Sequence, residues 1–374
     1  MPITSSRLKP ALVLLVLSPA IGELLSGSAP PVEFFHPFSF LLLVSLYGSG
    51  AIIVRELRVR WKKGVGSMLL LGAAYGVLEE GVMVCSFFNP NWPDLGQMGV
   101  YGRWFDVNWV WALMLTTYHA AYSITIPILL VELAYPEQRD EHWVSGRTFK
   151  TVLLLLIGVV VLGFVLFNVL SGYSPPLLPY CVTVATVFLF GYAAYTLPKG
   201  WTRSGNRPLD NTPIIWILGV VGTFAFFFGF WLMPTLIPAW PIGILLSLAL
   251  LVLATSFLKR YDWNVGTYKH RFALVSGMLI FFIVFAPLQE FDVARTDNPA
   301  GMSLVSLAFL IGLILLKRRV WVKSTHGEGG ELPIRKRGSA LTGSGIRGYC
   351  VNCSAELLSI AAYCPQCGTK VDLK

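Results

Sequence analysis

Two pairs of cysteines near the end of the chain form its clearest chemical motif. Cys350 and Cys353 are separated by two residues, as are Cys364 and Cys367, and ten residues separate the pairs. Each pair can hold two thiolates at about 2.3 Å from one metal, and two pairs complete a tetrahedron. We therefore expect structural Zn²⁺ bound by all four cysteines, with a rubredoxin-like iron or a redox dithiol pair as alternatives.

The second pair resembles that of the short zinc-ribbon family found at the ends of many prokaryotic proteins. Its residues 364–368 read Cys-Pro-Gln-Cys-Gly, and the resemblance covers residues 349–371. It implies a small ribbon that folds around the metal, because a segment of about 25 residues cannot bury a core. Four closed ligands leave no position for catalysis, so we expect a structural module that can bind a protein partner.

A second set of reactive residues lies within apolar sequence. Glu79 and Glu80 are adjacent, and Glu80 continues a stripe of small residues formed by Gly72 and Gly76 at four-residue spacing. Such a stripe lets a neighbouring helix approach closely. Two carboxylates within a membrane are costly, so we expect them to face a cavity or a partner and to share a proton.

The next apolar segment carries His119, with Thr116, Tyr122 and Ser123 on the same helical face. At 1.5 Å per residue, His119 and the two glutamates lie within about 6 Å of one another in depth, so contact is feasible. The alternatives for this candidate catalytic or binding site are a proton relay, an ion site, a glutamate-activated water, and a hydrogen-bonded pair that only fixes helix packing.

Residues 67–133 distantly resemble the glutamate-type intramembrane proteases, in which a Glu-Glu helix precedes a His helix. The resemblance implies a water activated by Glu79, Glu80 and His119. The chain departs from that family's pattern where Val84 replaces an expected Arg and Leu115 an expected Phe. No later span offers a second His, which puts the protease activity in doubt.

The composition dictates the elements that position these residues. Of the 374 residues, 55% are hydrophobic and only 13% are charged, with a mean hydropathy of +0.65. Apolar stretches of this length in a bilayer must be helices. We therefore predict an all-α polytopic membrane protein with about ten transmembrane helices and a small cytosolic zinc ribbon. The predicted spans are 10–27, 38–54, 67–88, 108–133, 150–170, 178–197, 212–232, 237–258, 272–288 and 300–316.

Charge then predicts the orientation. If the N-terminus is cytoplasmic, all of the 29 Lys and Arg residues except Arg103 and Arg295 fall inside. This asymmetry is typical of cytoplasmic loops and predicts that both termini face the cytoplasm of a prokaryotic cell. A cleaved signal peptide is the alternative for the first span, because Arg7 and Lys9 precede a short apolar run. The net charge of +9 indicates topology and contact with anionic lipid rather than specific nucleic-acid binding.

Three domains are predicted, namely a transmembrane helical domain over 1–316, a basic Gly-rich flexible linker over 317–348, and the zinc ribbon over 349–374. The bilayer is the expected partner, and the linker is a candidate for anionic lipid. The aromatic outer loop before His119, residues 87–109, is predicted to lie at the lipid headgroups, or to form a lid over the Glu79, Glu80 and His119 site.

These observations favour a multi-pass membrane protein with a polar intramembrane site of the binding or transport type. An intramembrane hydrolase that uses Glu79, Glu80 and His119 is the first alternative. A membrane scaffold or assembly protein is the second. No P-loop, HExxH or GxSxG motif occurs, so ATP-driven transport and serine hydrolysis have no support.

Overall fold

The structure is a computed structural model that describes residues 5–198, 211–259 and 268–327, together with two short strands at 346–349 and 356–358. The chain divides into two units, Met1–Glu328 and Gly329–Lys374. The first unit is helical. Its α-helices are α1 Ser5–Pro19, α2 Pro31–Phe34, α3 Pro37–Leu43, α4 Ser49–Arg60, α5 Val65–Gly76, α6 Trp109–Tyr118, α7 Ile126–Ala134, α8 Gly146–Phe164, α9 Leu177–Thr196, α10 Thr212–Leu236, α11 Trp240–Leu258, α12 Tyr268–Gln289 and α13 Met302–Gly327.

Nine helical segments in these described ranges are long and apolar enough to cross a membrane. The predicted class, an all-α polytopic membrane protein, is therefore confirmed. Short helices join into longer spans where no loop intervenes, as α6 and α7 do. The nine segments are Leu8–Leu25, Pro37–Arg60, Val65–Met83, Trp109–Ala134, Gly146–Val169, Leu177–Thr196, Thr212–Leu236, Trp240–Phe257 and Tyr268–Gln289.

The tenth predicted span, 300–316, coincides with the first part of α13. This segment is not one of the nine membrane-spanning candidates, because its apolar part is short. Within the same helix it is followed directly by Lys317, Arg318 and Arg319. The helix continues to Gly327, through residues predicted to belong to the flexible linker. Trp321 lies on this basic part of α13, and Trp and Lys are the residues that anchor a helix at a membrane surface.

Five π-helical segments occur in the spans in the part of the chain that the structure describes. Two of them lie between α-helices of one continuous span, and the other three form the last turns of their spans; each contains wider turns than an α-helix. Such segments are rare and often mark functional sites. They are Ala20–Leu25, Val44–Gly48, Val77–Met83, His119–Thr125 and Val165–Val169.

The span Trp109–Ala134 lies at the centre of the first unit. In its apolar 18-residue stretch 72% of the residues are buried, whereas the corresponding share is 6% in both Leu177–Thr196 and Trp240–Phe257. Tyr118 and Tyr122 of the central span stack on each other and pack against Phe227 and Phe282 of α10 and α12. The outer helices therefore leave their apolar side chains to lipid, while the central span is shielded on most sides.

An ordered loop connects the Glu79 span to the His119 span. Within it, β1 (Arg103–Trp104) pairs antiparallel with β2 (Val107–Asn108). Asn108 closes the loop, because its amide donates to the Met98 carbonyl at 2.6 Å and its side-chain oxygen caps the start of α6. The loop is thus a fixed cover at this end of the two spans.

The second unit contains a small hairpin. Strand β3 (Ile346–Tyr349) pairs antiparallel with β4 (Glu356–Leu358). The first cysteine pair, residues 350–353, falls between these paired strands in sequence. All four predicted zinc ligands lie outside the described residues.

Candidate functional site

The structure brings Glu79, Glu80 and His119 together, as the spacing predicts. His119 Nε2 lies 3.1 Å from Glu80 Oε1, and His119 Nδ1 lies 3.3 Å from Glu79 Oε2. His119 and Glu79 are buried, and Glu80 is partly exposed. The imidazole therefore bridges two carboxylates inside the helical bundle.

Two glycines permit this approach. A Cβ atom on Gly72 would lie 2.9 Å from the Ala120 Cα, and one on Gly76 would lie 2.8 Å from the His119 Cβ. Both distances are too short for any side chain. The small-residue stripe thus acts as predicted, since it lets the His119 span press against the backbone of α5.

A hydroxyl group and the α1 span fix the orientation of the ring. Ser123 Oγ lies 3.0 Å from His119 Nδ1, one turn along the same helix. Ser18 of α1 donates to the Ser123 carbonyl at 2.6 Å and is 3.2 Å from the Tyr47 carbonyl. Three spans therefore meet at the histidine.

Glu23 and Tyr47 extend the site beyond the three residues that the sequence predicts. The Tyr47 hydroxyl donates a hydrogen bond to Glu23 Oε1. The Tyr47 ring centroid lies 5.9 Å from that of His119, and the Tyr75 ring centroid lies 6.2 Å away. Tyr47 and Tyr75 were missed, because an isolated aromatic residue in an apolar span gives no signal of its own.

Ser86, which lies between the Val77–Met83 segment and the loop 87–109, also contacts the site. This side chain donates to Glu80 Oε2 and accepts a hydrogen bond of 3.1 Å from the Trp111 indole. In the same loop, desolvation and the negative charge of Glu80 raise the pKa of Asp94 above its ordinary value. The loop lies close enough to the site to couple to it electrostatically, as a lid would.

We call the following side chains the cluster: Glu23, Tyr47, Tyr75, Glu79, Glu80, His119 and Ser123. All of them except Tyr75 lie on π-helical backbone. Glu23, Tyr47, the Glu79-Glu80 pair and His119 with Ser123 lie in four of the five π-helical segments. At the end of the Val77–Met83 segment, the Asn168 amide donates to the Met83 carbonyl at 2.8 Å. Asn168 thus satisfies a carbonyl that is left free where this helical segment ends.

The charge of the cluster is unbalanced. It contains three carboxylates, Glu23, Glu79 and Glu80, and one imidazole, and in the described ranges neither Lys nor Arg forms an ion pair with any of them. Glu79 Oε2 is buried, and the nearest basic group in the same ranges is the His119 ring at 3.3 Å. An excess of negative charge in a poorly hydrated site must be compensated by bound protons or by a cation.

The three predicted residues are arranged as metal ligands can be. One ligand atom from each of Glu79, Glu80 and His119 lies within 4.8 Å of the others. Ligands at about 2.0–2.2 Å from a metal are at most about 4.4 Å apart, so only a small contraction would be needed. The donor set, two carboxylates and one imidazole, fits a divalent cation.

Basic residues near the opposite end of the spans form a separate, paired network. Arg55 donates to Glu56 at 2.7 Å and lies 3.6 Å over the Trp143 ring. Arg58 donates to Glu132 at 2.6 Å, and all four charged residues are buried. The sequence analysis had counted these arginines only as markers of topology. They attach α4 to the loop that follows α7.

Comparisons with known proteins identify the family. A model described as an uncharacterized membrane protein family matches residues 12–346, and the chain belongs to this family. A zinc-ribbon domain model matches residues 349–371, which confirms the predicted resemblance and its limits. No curated protein and no solved structure matches. Neither matching description names a protease.

Proposed function

We propose that this membrane protein binds a divalent cation at Glu23, Glu79, Glu80 and His119, as a site of the binding or transport type. The observation that carries the proposal is the cluster of three carboxylates and one imidazole without a paired Lys or Arg in the described residues. Glu79, Glu80 and His119 would be the direct ligands. Tyr47 would orient Glu23 through its hydroxyl, and Ser123 would orient the imidazole.

The hydrolase alternative has less support from the geometry. A water activated jointly by glutamate and histidine must lie between them, within hydrogen-bonding distance of both. The 3.1 Å separation of His119 Nε2 and Glu80 Oε1 is itself a hydrogen-bonding distance, so these two atoms contact each other directly and not through a water. A scaffold protein has no need for uncompensated buried carboxylates, which are costly to retain.

Mn²⁺ is the appropriate probe, because oxygen and imidazole ligands suit it whereas four thiolates select zinc. We expect the purified full chain to bind Mn²⁺, seen as a loss of the free-ion signal in electron paramagnetic resonance. Glu80→Gln and His119→Asn should each weaken binding by tenfold or more, or about 1.4 kcal/mol. The matched control is Glu33→Gln, which removes an exposed carboxylate.

Binding that is equal in Glu80→Gln, His119→Asn and Glu33→Gln would overturn the proposal. Melting temperatures of all variants separate a lost site from a lost fold. Cleavage of peptides by the wild-type chain, abolished in Glu80→Gln, would favour the hydrolase instead. Full tolerance of Glu79→Gln and Glu80→Gln in binding and stability would favour the scaffold.

We also propose that the ribbon holds one structural Zn²⁺ and binds a protein partner. The basic linker is proposed to contact anionic lipid. Both termini are proposed to face the cytoplasm of a prokaryotic cell. The support for the orientation is the charge distribution, in which only Arg103 and Arg295 fall outside. Reporter fusions at the C-terminus and within the loop 89–107 should therefore give opposite sidedness. The same sidedness for both would exclude this orientation.

A further inference from the structure

A groove of about 430 Å³ lies on the first unit, remote in sequence from the carboxylate cluster. Its volume is within the ~300–1,000 Å³ of ordinary ligand pockets. Helix α12 forms the floor, where Phe272, Ala273 and Ser276 are buried. Trp216 of α10 lies on one wall and Ile314 of α13 on the other.

Close helix packing on one side creates this shape. A Cβ atom on Gly219 would lie 2.5 Å from the Leu274 carbonyl oxygen, and one on Gly277 would lie 2.3 Å from that of Trp216. Helices α10 and α12 therefore touch backbone to backbone. Because α13 also packs on α12, a channel remains between α10 and α13.

The lining of the groove is apolar over most of its length. The Ser276 hydroxyl, its polar group on the floor, donates to the Ala273 carbonyl of its own helix. Trp216 is 38% exposed and Ile314 is 44% exposed. Both walls of the groove are therefore accessible from the surrounding lipid. This part of the groove has the chemistry of a site for a hydrocarbon chain.

One end of the groove is basic. Lys317 lines it and lies 5.5 Å from the Trp321 ring, and Lys269 lies 5.8 Å from the same ring. Thr212, the first residue of α10, also lines the groove. The start of α10, the start of α12 and the basic part of α13 therefore meet where the helices leave the apolar layer, on the side that the charge distribution predicts to be cytoplasmic.

We propose that this groove binds one anionic phospholipid of the cytoplasmic leaflet. The acyl chain would lie along Phe272, Ala273 and Leu313, and the phosphate would lie between Lys317 and Lys269. Two observations select this occupant: an apolar channel that opens to the bilayer, and lysines at headgroup depth at one end. Basic pockets between transmembrane helices on the cytoplasmic side recognise anionic headgroups in this way.

The test is native mass spectrometry of the full chain in detergent, titrated with phosphatidylglycerol or phosphatidylcholine of identical acyl chains. We expect one tightly bound phosphatidylglycerol and weaker binding of phosphatidylcholine. Lys317→Gln combined with Lys269→Gln should weaken phosphatidylglycerol binding by roughly fivefold for each lysine. Lys150→Gln, at the exposed start of α8 on the same predicted side, is the matched control and should have no effect.

A second pair of variants tests the apolar channel without changing charge. Ile314→Trp places a larger side chain in the groove and should reduce phosphatidylglycerol binding. Leu154→Trp adds the same bulk to an exposed position of α8 and should not. Equal binding of the two lipids, an equal effect of Lys150→Gln, or no effect of Ile314→Trp would overturn the proposal. So would a lipid-free dimer in which a second copy covers the groove.

Discussion

At the scale of residues, the electrical balance of the cluster determines what it can bind. Glu79, Glu80 and His119 could be associated from the sequence, because two adjacent spans place them at similar depth. Glu23 and Tyr47 could not be added, because they lie on separate spans whose neighbours only the folded chain defines. The ion pairs of the buried Arg55 and Arg58 were missed for the same reason: a basic residue at the end of a span looks the same in sequence whether water or Glu132 faces it.

This balance predicts proton release. Without a metal, three carboxylates and one imidazole are neutral when they hold three extra protons, and with a divalent cation and a neutral imidazole they are neutral when they hold one. Binding of Mn²⁺ to the full chain should therefore release about two protons per ion. A pH indicator in weakly buffered detergent solution measures this, with Glu33→Gln as a control that should behave like the wild type. Binding without proton release would show that the carboxylates are already ionised.

At the scale of elements, the outer loop after α12 supports the helix that carries Glu23. Arg295 donates to the Gly27 carbonyl at 2.7 Å and to Gln289 at 2.6 Å, and it also pairs with Asp297. Gly27 has a φ of +83°, a left-handed conformation that ends the Ala20–Leu25 π-helical segment. The span boundaries were predictable from hydropathy. The contact between Arg295 and Gly27 was not predictable, because the two residues are distant in sequence. In the sequence, Arg295 was only an exception to the charge rule.

The Arg295–Asp297 pair predicts a dependence of stability on pH. Hydrogen bonds from Arg295 lower the pKa of Asp297 below its ordinary value, so the stabilisation is present above about pH 4 and is lost as the pH falls further. Asp297→Asn should lower the free energy of unfolding by about 1 kcal/mol or less at pH 7, since the pair is partly exposed. The difference from the wild type in thermal unfolding should become smaller as the pH falls below about 4.

Asp106→Asn, at an exposed position in the other outer loop, is the control for this series. It should change the melting temperature little at either pH. A difference between Asp297→Asn and the wild type that persists unchanged at pH 3 would contradict the assigned role of the carboxylate.

At the scale of the whole molecule, a membrane unit is joined to a zinc-ribbon domain. The fold class was predictable because hydropathy and charge act along the sequence, and the ribbon was predictable because its four ligands have a fixed spacing. The groove between α10 and α13 was not predictable from the sequence. It depends on close backbone contact between α10 and α12 at Gly219 and Gly277. Glycine alone does not reveal its partner.

Because the chain divides into two units, we expect loss of zinc from the ribbon to leave the stability of the membrane unit unchanged. Cys364→Ser should remove zinc from the purified full chain, measured as zinc per chain, because three thiolates cannot close a tetrahedral structural site. The melting temperature of the membrane unit should remain unchanged, since its helices are stabilised by their own packing. Ser247→Ala, in an apolar helix, is a control that should retain the zinc. A large loss of membrane-unit stability in Cys364→Ser would show that the two units fold together.

The π-helical segments also affect how this site can arise or disappear during evolution. A π-turn contains one residue more than an α-turn, so deleting one residue from Val44–Gly48 or His119–Thr125, each of which lies between two α-helices, could restore a continuous α-helix. Such a deletion would shorten the span by only about 1.5 Å, yet it would rotate one half of the helix by roughly 100° relative to the other. The site could therefore be gained or lost by a one-codon change in length. In distant relatives, its history would be recorded as single-residue gaps within the spans as well as substitutions of the acidic residues.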